Sequence, residues 1–202
     1  MKLKVLKCVL DLKEYKCLDE EKFDGVELKM ITEINEEYEI KLQRALYLFN
    51  SEFNKENRIE YHGMWDIDEA KWRLNNDNFQ FWVVEYKDDI IGWGWNILDK
   101  VSIYFNNTGG LIYNPRKKEE LRKVTDIYIH KNEIYGLNLY LESKYRGNTF
   151  SKWFKSERPR RLYDMGYKKL MWHTEGWNKS AISLLRNTVG IEVETQVLFI
   201  DD

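Results

Sequence analysis

Apolar residues along this chain recur with two different periods, and the switches between them mark its elements. From Glu36 to Phe53 the positions Tyr38, Leu42, Ala45, Leu46, Phe49 and Phe53 fall three and four apart, which predicts an amphipathic helix capped by Asn35. A shorter helix follows Asp66, where Asp-x-x-Glu makes a capping box with Asp as the cap and Ile67, Ala70 and Leu74 form the stripe. The period then drops to two. Phe79 to Tyr86 and Ile90 to Leu98 read as a hairpin turning at Lys87-Asp88-Asp89, with Trp93 and Trp95 on one face and Gly92 and Gly94 on the other. Val101–Phe105, Leu111–Tyr113 and Val124–His130 are further strand-like runs, and Glu133 to Leu141 is another, with Leu137, Leu139 and Leu141 alternating against polar positions.

Beyond Leu141 the pattern changes character. Glu142 to Tyr145 is short and polar, Gly147 supplies a turn, and Asn148 or Thr149 can cap a helix carrying Phe150, Trp153 and Phe154. Pro159 stands about ten residues into that helix and predicts a kink or break. Arg158, Arg160 and Arg161 beside it read as a solvated face. Gly136, inside the preceding strand, predicts a bulge there. A strand from Lys168 to Thr174, a helix from Asn178 to Asn187 and a strand from Val193 to Ile200 complete the chain. Residues 1–25 read as an extension packed on a core domain of 26–202, in which about 99–132 is an insertion forming an extra hairpin or lengthened edge strands. The pattern is mixed α/β.

Composition narrows the classes. A net charge of -2 lacks the basic surplus of a nucleic-acid binder. Cys8 and Cys17 have no metal spacing, and His62, His130 and His173 stand far apart, so neither a metal nor a disulfide framework is expected. No apolar run approaches the ~18 residues of a membrane span. Met1 to Leu12 is too interrupted by Lys and Asp for a signal peptide. A cytoplasmic protein with reduced thiols is the expectation.

A strand entering a helix through a glycine turn leaves free N–H groups at the positive end of the helix dipole, a site suited to phosphate. Here that junction reads Lys144-Tyr-Arg-Gly147-Asn-Thr149. About thirty residues later comes Asn178-Lys-Ser-Ala181-Ile-Ser-Leu184-Leu185, and upstream lies Trp82-Val-Val-Glu-Tyr-Lys-Asp-Asp-Ile-Ile-Gly92. In this order and spacing the three blocks resemble the GNAT superfamily of acyl-CoA-dependent N-acyltransferases, over roughly residues 26 to 200. The family's phosphate loop is [QR]-x-x-G-x-[GA], and its later helix reads N-x-x-A-x-x-L-Y.

The resemblance implies a mixed, mostly antiparallel β-sheet flanked by helices and splayed at the acyl-CoA site. It implies acetyl transfer from acetyl-CoA to an amine, a small molecule or a protein amine, by direct attack in a ternary complex. The alternative is a GNAT-fold sensor that binds acyl-CoA without turnover. Cofactor contacts would come from Leu139, Tyr140 and Leu141, from Lys144, Tyr145, Arg146, Gly147, Asn148, Thr149 and Phe150, and from Asn178 and Leu185. Glu133, near the start of the strand before the loop, is the implied base, with Asp126 and Glu85 as weaker candidates. Trp65, Trp93 and Trp95 could line an acceptor cleft, although core packing is the better reading of the two strand indoles. Where the family commonly places a tyrosine acid, this chain has Leu185, which cannot donate a proton. The 99–132 segment could shape substrate choice or serve as a homodimer contact.

Overall fold

The computed structural model describes residues 2–15, 24–55, 65–106, 110–147, 149–175, 178, 181–182, 185 and 190–200. The strands are β1 (Lys2–Asp11), β2 (Val26–Ile31), β3 (Phe79–Tyr86), β4 (Asp89–Ile97), β5 (Lys100–Phe105), β6 (Leu111–Tyr113), β7 (Arg122–Tyr128), β8 (Glu133–Leu141), β9 (Lys169–Glu175) and β10 (Ile191–Phe199). The helices are α1 (Glu36–Lys55), α2 (Ile67–Leu74) and α3 (Thr149–Asp164). Seven strands form one sheet in the order β10-β1-β9-β8-β4-β3-β2. Its pairs are antiparallel except β8 with β9.

The sheet separates two apolar layers. On one face Leu42, Ala45, Leu46 and Phe49 of α1 and Ala70 of α2 meet Phe81, Trp93, Trp95, Tyr135, Leu137 and Tyr140. On the other, Phe150, Phe154 and Leu162 of α3 meet Trp82, Val84, Ile91, Ile134, Leu141 and Leu170. This is why β4 shows no polar alternation: it is covered on both sides. The helix starts follow the predicted chemistry. Tyr38 N–H donates to Asn35 Oδ1 at 2.8 Å and Glu69 N–H to Asp66 Oδ1 at 2.7 Å.

Two expectations change, and a choice between two alternatives is decided. Residues 2–11 are no appendage: β1 lies inside the sheet, antiparallel to β9 on one side and β10 on the other. Of the two readings of the 99–132 segment, the extra hairpin is the one found: β5 and β6 pair antiparallel and, with β7, make a separate three-stranded sheet instead of lengthening the main sheet's edge. Pro159 does not break α3, which runs from Thr149 to Asp164. Proline removes the N–H that would bond the carbonyl four residues earlier. That carbonyl, of Lys155, instead accepts the Tyr15 hydroxyl at 3.2 Å.

Candidate active site

β8 and β9 run parallel and pair only from Glu133–Lys169 to Tyr135–Met171. Past that point β9 stays with β1, reaching Glu175 opposite Val5, while β8 stays with β4. Residues 136–141 therefore have no strand partner on the β9 side, and a V opens between the two strands. The predicted bulge exists, but not at Gly136. Trp95 pairs with Leu137 and Trp93 with Tyr140, so Asn138 and Leu139 together face Gly94. Asn138 takes φ +50°, a conformation that asparagine tolerates better than most residues. Its Oδ1 accepts Arg73 Nη1 at 3.3 Å, and Arg73 is itself fixed to Glu69 at 3.1 Å and over the Trp95 ring. Thus α2 holds the bulge in place.

The V leads toward the start of α3. Ser143–Tyr145 form a single 3-10 turn, and Gly147 follows at φ +74° with no atom within 4 Å of where a Cβ would stand. Open space thus lies beside the first turn of α3, whose leading N–H groups lack partners within the helix. Arg146 stays exposed while donating to the Leu141 carbonyl at 2.6 Å and to Glu52 at 2.8 Å. The other Glu52 oxygen accepts the Ser143 N–H at 3.0 Å, so the end of α1 braces the loop. Lys144 pairs with Glu142 at 2.8 Å, and Tyr145 packs beside Phe150. A strand pair left open past its root thus runs to an open glycine turn at a helix N-terminus, a setting suited to an extended ligand that ends in an anion.

No protein-family model and no curated protein matches this sequence. Solved structures do. An acetyltransferase from Streptococcus agalactiae aligns at TM-score 0.51 and 17% identity, covering 82% of this chain and 82% of that one. An aminoglycoside acetyltransferase from an uncultured soil metagenomic sample aligns at TM-score 0.50 and 13% identity, covering 82% of this chain and 88% of that one. A tandem GNAT protein from the clavulanic acid biosynthesis pathway aligns at TM-score 0.53 and 10% identity over 98% of this chain and 52% of that one. The chain has the GNAT fold. It spans 61% of the length of a Staphylococcus epidermidis protein of unknown function, which aligns at TM-score 0.58 and 10% identity.

Within this GNAT fold the expected site residues separate. Leu139, Tyr140, Leu141, Lys144, Tyr145, Arg146, Gly147 and Phe150 lie along the V and its loop, and Thr149 opens α3. Asn148 lies outside the described residues, as does most of the helix expected at Asn178–Asn187. Asn178 caps that helix: its Oδ1 accepts the Ala181 N–H at 3.1 Å, and Leu185 is half-buried beyond it. Trp65, Trp93 and Trp95 do meet, with Trp65 edge-on to both, but all three are buried in the core rather than lining a cleft. Glu85 is tied to Lys29 at 2.6 Å; burial opposes its charge, yet the Lys29 and Tyr38 partners hold its pKa down. Asp126 lies in the small sheet, where Lys123 and Ser102 hold it far below the carboxylate range. Glu133 stands at the closed root of the V, 3.8 Å from Lys169.

Sequence reasoning misses a cluster on the α1/α2 face of β8 and β9. The Tyr135 hydroxyl lies 2.8 Å from His173 Nδ1, and His173 Nε2 lies 3.0 Å from Gln196 Oε1. The glutamine oxygen accepts, so Nε2 carries the proton and the tyrosine donates to Nδ1. Two residues on, Glu175 is 9% exposed, and burial raises its pKa against the backbone N–H groups of Glu175 and Leu111. The signal was the alternation Met171, His173, Glu175 along one strand face, one residue longer than the expected strand.

Burial also holds the His173 imidazole below its ordinary pKa. The unfolded chain, titrating near ~6.5, then binds more protons below that pH. His173 therefore contributes stability that is intact above that pH and lost as pH falls, whereas the raised Glu175 acts in the opposite sense. Melts at pH 7 and pH 5 should show a larger loss in the parent than in His173→Gln, which keeps Glu175 but cannot charge.

Proposed function

We propose that this protein is an N-acyltransferase that moves an acetyl group from acetyl-CoA to an amine acceptor within a ternary complex. The observation that carries the proposal is the V between β8 and β9 opening onto Gly147 and α3. The residues present fit the donor. The edge of 136–140, short of the Leu141 carbonyl that Arg146 occupies, offers backbone groups to an extended arm, as an added strand would use them. The first turn of α3, with Gly147 and Lys144 beside it, suits a pyrophosphate. Asn178 and Leu185 stand on the next helical segment. Acetyl-CoA supplies the acyl group activated as a thioester.

The chain's own part is to hold the amine and take its proton. Two carboxylates of β8 and β9 point to the α1/α2 face. In parallel register Glu175 stands four residues past Met171, level with Leu139, four past Tyr135, and so beside the bulge. Glu133 lies about 20 Å lower, at ~3.3 Å per residue. We assign proton removal to Glu175, whose burial raises its proton affinity toward a base's working range; Glu133, the base implied by the resemblance, is the comparison. One observation keeps a non-catalytic acyl-CoA sensor as the second reading: Leu185 offers no proton to a leaving thiolate. A thiol pKa of ~8.5 makes departure without an acid feasible.

A thermal melt tests the donor. At a hundred times Kd a ligand specific to the native state adds ~2.7 kcal/mol, and a domain of this size shifts roughly 2–4 °C per kcal/mol. Acetyl-CoA should raise the midpoint by about 5–10 °C, with ATP and NADH giving no comparable shift. In Gly147→Val the side chain enters the open space at a left-handed φ. The acetyl-CoA shift should vanish there, beyond a ~1–2 kcal/mol backbone penalty seen without ligand. A parent protein unmoved by acetyl-CoA would sink both the transferase and the sensor.

A further inference from the structure

Arg158 is a buried cation that the proposed reaction does not use. It is 5% exposed, in the third turn of α3. The sequence places it on a solvated face; the structure puts it under the sheet instead. One nitrogen, Nη2, donates to the Trp95 carbonyl at 3.3 Å and to Asn96 Oδ1. Among the described residues no carboxylate pairs with it, and its Nε has no hydrogen-bond partner. Burial draws its pKa down to about 10, which leaves it charged at neutral pH. Buried charges are normally paired, and an unpaired guanidinium is costly to keep.

Two glycines make room for it. A Cβ on Gly136 would stand 3.1 Å from Arg158 Nη2, and one on Gly94 would stand 3.3 Å from its Cζ and Nε. Gly136 is the first residue of β8 beyond its pairing with β9, so the guanidinium lies beneath the point where the V begins. Across the V, Thr174 of β9 shares the α3 face by alternation from Leu170. It is 3% exposed, and its hydroxyl also lacks a partner. Two unsatisfied polar groups, one of them cationic, thus flank the V on one side of the sheet: the guanidinium spans from Gly136 toward Gly94, and Thr174 is, by register, level with Asn138 opposite Gly94.

Depth decides which anion can answer them. Arg158 is nine residues past Thr149, about 14 Å along α3 from the helix start that suits a pyrophosphate. A ligand running down the V from that loop reaches the level of Gly136 only with its far end. We propose that the V binds, in preference to acetyl-CoA, an acyl-CoA whose acyl chain ends in a carboxylate, of malonyl or succinyl size, with Arg158 receiving the carboxylate and Thr174 donating a hydrogen bond to it. This inference rests on the acyl-CoA reading above and narrows its donor. The guanidinium's free Nε matches the planar, charge-assisted pairing that arginine makes with carboxylates.

Calorimetric titration of the full chain with CoA, acetyl-CoA and succinyl-CoA tests it. The parent should bind succinyl-CoA at least ~10-fold more tightly than acetyl-CoA, as a buried charge-assisted pair would give. Arg158→Gln should bring the two to parity while leaving the affinity for CoA itself unchanged. Arg158→Lys keeps the charge on a shorter, non-planar head, and Thr174→Val removes only the hydroxyl; each should shrink the preference. These two carry the test if Arg158→Gln does not fold. Equal affinities in the parent would overturn the proposal, as would a preference left intact by both Arg158→Lys and Thr174→Val. An effect of Arg158→Gln that is the same for acetyl-CoA and succinyl-CoA would also overturn it, because the cation would then serve the sulfur end common to both. Failure of CoA itself to bind is a different result and removes the transferase reading beneath.

Discussion

Glu175→Gln should slow acyl transfer by about 10²–10⁴-fold while leaving the affinity for acetyl-CoA unchanged. The side chain keeps its size and its hydrogen-bonding reach and loses only the capacity to accept a proton. Because burial raises the Glu175 pKa, the parent's rate should climb with pH through that raised value and then level off, and this limb should be missing from the glutamine protein. Glu133→Gln supplies the contrast. Glu133 sits at the closed root, where its nearest cation is Lys169, so its loss should leave the pH limb in place. Steady-state rates across pH for the two variants, with acetyl-CoA affinity measured separately, decide between the carboxylates. A Glu133→Gln protein that loses the limb while Glu175→Gln retains it would return the base to the root of the V.

Trp95→Ala should cost about 3–5 kcal/mol of stability, enough to lower the unfolding midpoint by roughly 6–20 °C. Trp95 is fully buried on β4, stacked on Phe81 with ring centroids 4.2 Å apart, and met edge-on by Trp65 and Phe79. The Arg73 guanidinium lies over its ring. Removing the indole therefore opens a cavity and also loosens the arginine that holds Asn138 in the bulge. Denaturant unfolding measures the first effect. The second should appear as weaker acetyl-CoA binding under conditions where the variant is still folded. A loss below about 1 kcal/mol would mean that the surrounding aromatics close over the gap.

The elements legible in the sequence are those whose cause is local. Asn35 and Asp66 cap their helices because each needs only a side-chain oxygen three residues before a free N–H. The hairpin of β3 and β4 turns at residues 87–89 because Lys87 and Asp88 accept positive φ there. The loop at Gly147 was readable for the same reason. Gly136 misled because glycine serves two ends: here it clears space for Arg158, while Asn138 takes the bulge. Arg158 itself looks like its neighbours Arg160 and Arg161 in sequence, and both of those pair with Glu157 at the surface. Nothing local marks one arginine of the three as buried. The unbroken α3 is equally non-local, since the group that satisfies the Lys155 carbonyl comes from Tyr15. Glu175 and His173 acquire their setting only when β8, β9 and β10 come together, so their chemistry was invisible in a strand read alone.

The placement of β1 bears on how a ligand would enter. Every residue of β9 from Lys169 to Glu175 is matched by one of β1 from Asp11 back to Val5, so β9 is anchored along its whole length from the side away from β8. The two walls of the V are thus each fastened outward, β9 to β1 and β8 to β4, and neither depends on the other beyond Tyr135. An incoming chain would break no ladder and would meet edges already set apart by the fold. Association should then proceed without a sheet-opening step, and its entropy loss would fall mainly on the ligand.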